Sequence, residues 1–287
     1  MAAEMAKLGG LGIIHRYCTV EEQVAELEKA FLYGAPVVGA AIGANNDFYV
    51  RAEALLSVNP NVLLCVDVAH GHHINVKYAL RALRAGCAKK RHIMAGNVAT
   101  LEAFDDLSDW GADSIRCGVG GGSICTTRIQ TGHGVPTLQV TLDCAQSDRG
   151  TTLIADSGFK KPGDIVKGFA AGADFVMLGS MLAGTDECPG KVLKKTDGSR
   201  YKAYRGMASK AAQMDWRGRS SSPEGVVAEV PYKGPTESVL EDISGAVRSG
   251  LSYSGARTIP ELRDKAIWLR QTAASRLESS AHINKGQ

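Results

Sequence analysis

The feature that most constrains this chain is a repeated alternation of short apolar runs with amphipathic helical stretches over its first 178 residues. Apolar runs at Pro36–Ile42, Val62–Val66, Arg91–Ala95, Asp113–Arg116, Thr152–Ala155 and Asp174–Leu178 are separated by helical periodicity at about 46–57, 73–85, 99–108 and 163–171. Before them, Ala2–Leu8 reads as a short helix stopped by Gly9-Gly10, followed by an apolar strand at Leu11–His15 and a helix at about 20–33. Strands this apolar need cover on both faces. With helices between them, they predict a parallel sheet. A doubly wound open sheet would carry its glycine fingerprint after the first strand, whereas here informative loops follow many strands, as around a barrel mouth. The expected fold is a (β/α)8 TIM barrel lacking its first strand, because helix, glycine stop and strand make the second half of a βαβ unit. The absent strand would lie upstream of Met1. A true seven-stranded barrel would leave two unpaired edges.

The 287 residues fit one catalytic barrel domain over 1–287. The rhythm breaks after Leu178, and residues 180–235 show little periodicity, which predicts a C-terminal flap or lid insertion. Helices are expected at about 237–250 and at Ile259–Arg270. The tail 278–287 should fray or be held by a neighbouring subunit. Hydrophobic residues at 44% exclude a disordered chain, and a net charge of +3 makes no nucleic-acid-binding field. No apolar run reaches the roughly 18 residues of a membrane span, and the first ten residues are unlike a signal peptide. Seven cysteines, odd in number and without metal-type spacing, fit a reducing cytoplasm.

Chemistry concentrates in Gly118-Val-Gly-Gly-Gly-Ser-Ile-Cys125-Thr-Thr-Arg128, directly after a predicted strand. Glycines there let the backbone turn sharply with its amides aimed inward. Hydroxyls and an arginine beside Cys125 can favour a thiolate. On local chemistry alone, Cys125 is either a nucleophile or an inert small side chain. Asp156-Ser-Gly158 and Gly179-Ser180 end the next two predicted strands, where barrels commonly hold phosphate on glycine amides and a serine hydroxyl. Tyr204-Arg-Gly206-Met207 offers a phenol and further amides to the same anion.

These residues are similar to the IMP dehydrogenase/GMP reductase family from Ala2 to about Ile283. The resemblance rests on Gly122-Ser-Ile-Cys-Thr-Thr-Arg128, Val66-Asp-Val-Ala-His-Gly71, Met94-Ala-Gly-Asn-Val98, Val176-Met-Leu-Gly-Ser180, Tyr204-Arg-Gly-Met207 and Glu229-Val-Pro-Tyr-Lys-Gly234. It implies a homotetrameric barrel acting on a purine mononucleotide, GMP or IMP, through a covalent Cys125 adduct at purine C2. Ser123, Gly158, Gly179, Ser180 and Tyr204, with Gly206, would hold the 5′-phosphate, and Asp156 the ribose. Met207 and Glu224 would line the base, with Glu224 near its N1 edge and counted with Cys125 and Thr127 as catalytic. Asp67, Ala69, Asn97, Gly118 and Gly120 match positions that cradle the nicotinamide of NADPH or NAD. Thr127 would orient ammonia or water, and a monovalent cation such as K+ would lie near Gly120, Gly122 and Cys125.

Both activities of the family share this adduct. The dehydrogenase form inserts a pair of regulatory modules after the second barrel helix, for which Glu21–Tyr33 followed by Gly34-Ala-Pro-Val-Val-Gly39 leaves no room. It also uses an Arg-Tyr pair to activate water, and no such dipeptide occurs between Met207 and Glu224, although Arg217 and Arg219 do. These points, with a short flap and Thr131-Gly132, favour GMP reductase. The Tyr204-Arg205-Gly206 spelling and the tail Glu278-Ser-Ser-Ala-His282 resemble bacterial IMP dehydrogenases instead, and Lys210 stands where the reductase form places a glutamate, so a reductase would need another acid, such as Glu224 or Thr127. IMP dehydrogenase and a truncated nucleotide-binding pseudoenzyme are the alternatives.

Overall fold

The computed structural model describes residues 1–279. Seven parallel strands, β1 (Ile13–Ile14), β2 (Val38–Ile42), β3 (Val62–Asp67), β4 (Ile93–Val98), β5 (Ser114–Cys117), β6 (Thr152–Asp156) and β7 (Phe175–Met177), form one sheet in chain order. Laid flat at the usual spacing, seven strands would hold their outer members roughly 29 Å apart. Instead Ile13 of β1 and Met177 of β7 share a small apolar cluster with Leu63, Cys65, Met94 and Ile154. The sheet is therefore curled into an incomplete barrel, with that cluster on its concave side. β1 and β7 are its two edges.

Helices cover the convex side. They are α1 (Ala2–Lys7), α2 (Val20–Leu32), α3 (Phe48–Val58), α4 (Ile74–Ala85), α5 (Leu101–Asp109), α7 (Thr137–Cys144) and α8 (Pro162–Ala170), with the short α6 (Thr127–Thr131) in the loop after β5. In α4, Val76, Ala79, Leu80 and Leu83 fall on one face and are fully buried, each leucine contributing about 2 kcal/mol by burial. Side-chain caps fix where helices begin. The Thr19 hydroxyl accepts from the amide of Glu22 while the Glu22 carboxylate accepts from the amide of Thr19, and Thr100 caps α5.

The first seven strands lie where the apolar runs put them, with shifted ends. Of Leu11–His15 only Ile13 and Ile14 pair, with Gly39 and Ala40, because β1 has one neighbour. Residues 180–235, where the sequence shows little periodicity, carry regular structure. They build an antiparallel sheet, β8 (Leu193–Lys194), β9 (Arg200–Arg205) and β10 (Val227–Pro231), and a helix α9 (Lys210–Arg217). The reason is that β9 and β10 pair with each other and leave alternate residues exposed, so they need no apolar run. α10 (Thr236–Tyr253) and α11 (Ile259–Lys265) then pack on α8. The helix expected over Ile259–Arg270 stops at Lys265, where Ala266 turns extended and leaves Ile267 and Leu269 exposed. A last helix, α12 (Ala273–Glu278), reaches into the expected tail, whose remainder from 280 lies outside the described residues. Among the described residues no helix is long and apolar enough to cross a membrane.

Candidate active site

In a parallel sheet every C-terminal strand end reaches the same rim, so loops from distant parts of the chain converge there. Asp67 ends β3, Asn97 is the penultimate residue of β4, Gly118 follows β5, Asp156 ends β6 and Gly179 follows β7.

Beneath this rim lies Arg116, the one charged residue of the buried strand β5. Its guanidinium is buried, donates to Asp67 at 2.5 Å, and stands 3.6 Å from Asp156. Burial alone would push the Asp67 carboxyl up, but the charge and hydrogen bond of Arg116 outweigh it and hold the group below its usual range. Asn97 extends the network by donating to the Gly118 carbonyl and to Asp156, both at 2.8 Å. Two residues expected on the dinucleotide, Asp67 and Asn97, are thus wired to the one expected on the ribose. Ala69 is exposed on the same rim.

The glycine loop after β5 places Cys125 half-buried, with its amide on the Gly122 carbonyl at 3.1 Å. Gly118 sits at φ +137°, a conformation only glycine adopts without strain, and a Cβ there would meet the Asp156 carbonyl at 2.5 Å. Cys125 Sγ donates to Thr127 Oγ1 at 3.1 Å, and Thr127 Oγ1 donates to Glu224 Oε2 at 2.6 Å. The three residues expected to do chemistry therefore form one hydrogen-bonded chain. Backbone pairing holds it: the Thr126 amide donates to the Glu224 carbonyl and the Val226 amide to the Ile124 carbonyl. Arg128 takes no part. It donates to the Val135 carbonyl at 2.7 Å and so braces the loop instead of facing the thiol. Cys65 and Cys117, unlike Cys125, are fully buried within strands. Burial pushes Cys65 up to about 12 and raises Cys117.

Of the expected phosphate residues, Tyr204 and Gly179 meet. Tyr204 on β9 lies over Gly179, where a Cβ would come within 2.6 Å of the phenol oxygen. Burial, with Cys188 and Asp156 nearby, raises the Tyr204 pKa and keeps the phenol a proton donor. Gly158 adopts φ +86° just beyond Asp156. Ser180 is half-buried and Ser123 exposed. Gly206 and Met207 lie between β9 and α9, with the Gly206 amide on the Val226 carbonyl. α9 itself is anchored to the loop after β1 by an edge-on contact of Trp216 with Tyr17, ring centroids 4.9 Å apart.

Such a rim, with a thiol, a hydroxyl and a carboxylate in sequence beside paired carboxylates, invites comparison with known proteins. Residues 1–282 match the family described as "IMP dehydrogenase / GMP reductase domain". The chain belongs to the IMP dehydrogenase/GMP reductase family. It is 44% identical over 263 residues to the inosine-5′-monophosphate dehydrogenase of Nitrosopumilus maritimus, covering 87% of this chain and 55% of that protein. It is 45% identical over 262 residues to the GMP reductase of Leishmania donovani, covering 87% and 53%. A cysteine-to-alanine variant of GMP reductase from Trypanosoma brucei, in complex with guanosine 5′-monophosphate, superposes with a TM-score of 0.82 at 43% identity, over 87% of this chain and 53% of that one. The chain thus spans about half the length of the relatives it matches.

Sequence reasoning overlooked Arg116, Lys202 and Trp216. A lone arginine inside the run Asp113–Arg116 was the available signal for the first. Lys202 is fully buried in a segment that reads as polar, so no pattern marked it.

Proposed function

We propose that the chain is a GMP reductase, converting GMP, NADPH and two protons to IMP, ammonium and NADP+. The observation that carries this reading is the unbroken chain from Cys125 Sγ through Thr127 Oγ1 to Glu224 Oε2. A thiol adding to purine C2 needs its proton removed, and an exocyclic amine leaving C2 needs a proton supplied. A hydroxyl relaying between thiol and carboxylate can serve both. The Cys125 sulfur bonds to C2, the C2–N bond breaks with its electron pair on nitrogen, and ammonia leaves with a proton delivered through Thr127 from Glu224. A bound dinucleotide would supply the hydride that C2 receives. The C–S bond then breaks and its electron pair returns to Cys125.

Asp156 and the Ser180–Tyr204 side of the rim suit ribose and phosphate, and the relative solved with GMP supports the same ligand class. For the nicotinamide we assign Asp67, Ala69, Asn97, Gly118 and Gly120, of which Ala69 is exposed. A monovalent cation such as K+ fits the turn Gly120–Cys125, whose backbone carbonyls are hard-cation donors. We extend the reading to a (β/α)8 barrel with an eighth strand between β7 and β1, 180–235 as the flap over its mouth, and a cytoplasmic homotetramer.

Lys210, which stands where the reductase form places a glutamate, is exposed at the start of α9, while Glu224 fills the position on Thr127. Arg217 lies against Trp216, at 4.3 Å from the ring centroid, instead of beside Thr127. Both points favour amine release over hydrolysis. IMP dehydrogenase is the second reading, favoured by the identity to the Nitrosopumilus enzyme. Absorbance at the reduced-nicotinamide band separates them. Loss with GMP and NADPH supports the reductase, and gain with IMP and NAD the dehydrogenase. Silence in both, with nucleotide bound, leaves the pseudoenzyme.

A further inference from the structure

Two lysines outside the catalytic chain bind only backbone carbonyls. Lys202, on β9 two residues before Tyr204, is 1% exposed, and its Nζ donates to Thr185 O at 2.8 Å, Asp186 O at 3.4 Å and Cys188 O at 2.5 Å. Three carbonyls use all three donors of an ammonium. Lys233 Nζ donates to Ser180 O at 3.0 Å and Met181 O at 2.7 Å. Neither makes an ion pair among the described residues, although Lys7, Lys29, Lys195 and Lys265 all do. The carbonyls they gather belong to one segment, 180–188, which leads out of the Gly179 turn. A third tie comes from Glu187, whose carboxylate accepts from the Thr236 amide and hydroxyl at 2.9 and 2.6 Å.

A buried ammonium surrounded by carbonyl oxygens is the tethered equivalent of a bound monovalent cation. Taking it out of water is costly, and only near-complete coordination offsets the cost. The arrangement therefore fixes the backbone it coordinates. Lys202 and Tyr204 lie on the same face of β9, since side chains two apart in a strand share a face. Locking Lys202 onto 185–188 thus sets where Tyr204 stands over Gly179, and Lys233 fixes the peptide of Ser180 itself. A trans peptide puts its N–H opposite its C=O, so drawing the Ser180 carbonyl toward Lys233 turns the Met181 amide away from it.

We propose that Lys202 and Lys233 are positioning residues for the phosphate cradle, two tethered cations that shape the 179–188 segment and seat Tyr204 over it. This rests on the assignment of that cradle to a nucleotide 5′-phosphate. The test compares dissociation constants for IMP and for inosine, which lacks the phosphate, on the wild-type chain, Lys233→Met, Lys202→Met and Lys202→Ala. Each methionine variant is expected to weaken IMP by about tenfold and inosine by less than about twofold. Adding ethylammonium to Lys202→Ala should restore IMP binding by refilling the carbonyl nest, which a purely structural packing role would not produce. Equal losses for IMP and inosine, unchanged IMP binding in both methionine variants, or no rescue by ethylammonium would overturn the proposal. Should Lys202→Met or Lys202→Ala fail to fold, the Lys233→Met comparison decides alone, because Lys233 is an exposed residue. Failure of the wild-type chain to bind IMP at all would refute the nucleotide reading instead.

Discussion

The two halves of the rim are held by different physics. The half on β3 to β6 is electrostatic and rooted in strands: Arg116 lies buried between Asp67 and Asp156, and Asn97 ties Asp156 to the loop that begins at Gly118. The half that would do chemistry is built on loops. Cys125 and Thr127 reach Glu224 across 97 residues of sequence, and paired backbones of 124–126 and 224–226 keep them in register. Strands can hold buried charges because their own hydrogen bonds are complete. Loops are free to move, which a site that must open and close requires. The contrast predicts that variants in the loop half change rate with little change in stability or binding, and that variants in the strand half do the reverse.

The sharpest break is Cys125→Ala. Losing the only sulfur on the Thr127–Glu224 chain should lower turnover by roughly a thousandfold or more, while nucleotide affinity stays within about threefold of wild type because the strand half is untouched. Steady-state rates and a nucleotide titration on the same sample check both. Near-normal turnover would remove Cys125 from the reaction.

Next comes the relay. Glu224→Gln keeps the shape but cannot supply a proton, and Thr127→Val removes the hydroxyl while keeping the volume. Either should slow ammonia release by roughly a hundredfold, and the double variant should be little worse than the single ones if the two act in series. Fully multiplicative losses would mean they act separately.

In the strand half, Arg116→Met should act on stability first. It leaves Asp67 and Asp156 facing each other without their shared cation, a loss of about 3–5 kcal/mol in urea unfolding. It should also alter the acid limb. Arg116 holds the folded-state pKa of Asp67 below its unfolded value, so the stabilisation is present above about pH 4 and is lost as pH falls through the folded pKa. Without Arg116 that limb should move to higher pH. An unmoved limb would mean the Asp67–Arg116 pair is not formed in solution.

The same contrast explains what could be read in advance. The strands were legible because a parallel strand covered on both faces is apolar at every position, as Val38–Ile42 is. The seams of the loop half were not. β9 reads Arg-Tyr-Lys-Ala-Tyr-Arg, a mixed polar segment whose strand character comes from pairing with β10 some 25 residues later. No local pattern encodes that partner. Cys125 stood out through its glycine neighbours, whereas placing Glu224 against it needed a family resemblance. The Trp216–Tyr17 contact, which joins α9 to the loop after β1, left no trace in either segment.

The smallest effect lies where the halves adjoin, at Ser180. Its carbonyl is held by Lys233, but its hydroxyl has no hydrogen-bond partner among the described residues. That is the state expected of a donor reserved for an anion. Ser180→Ala removes one charge-assisted hydrogen bond and no packing, so nucleotide binding should weaken by about 1–2 kcal/mol, with turnover at saturating substrate unchanged. Because the bond is made equally in ground and transition states, the loss should fall on KM and not on kcat. A fall in kcat instead would place Ser180 with the loop half and erase the boundary drawn between the two.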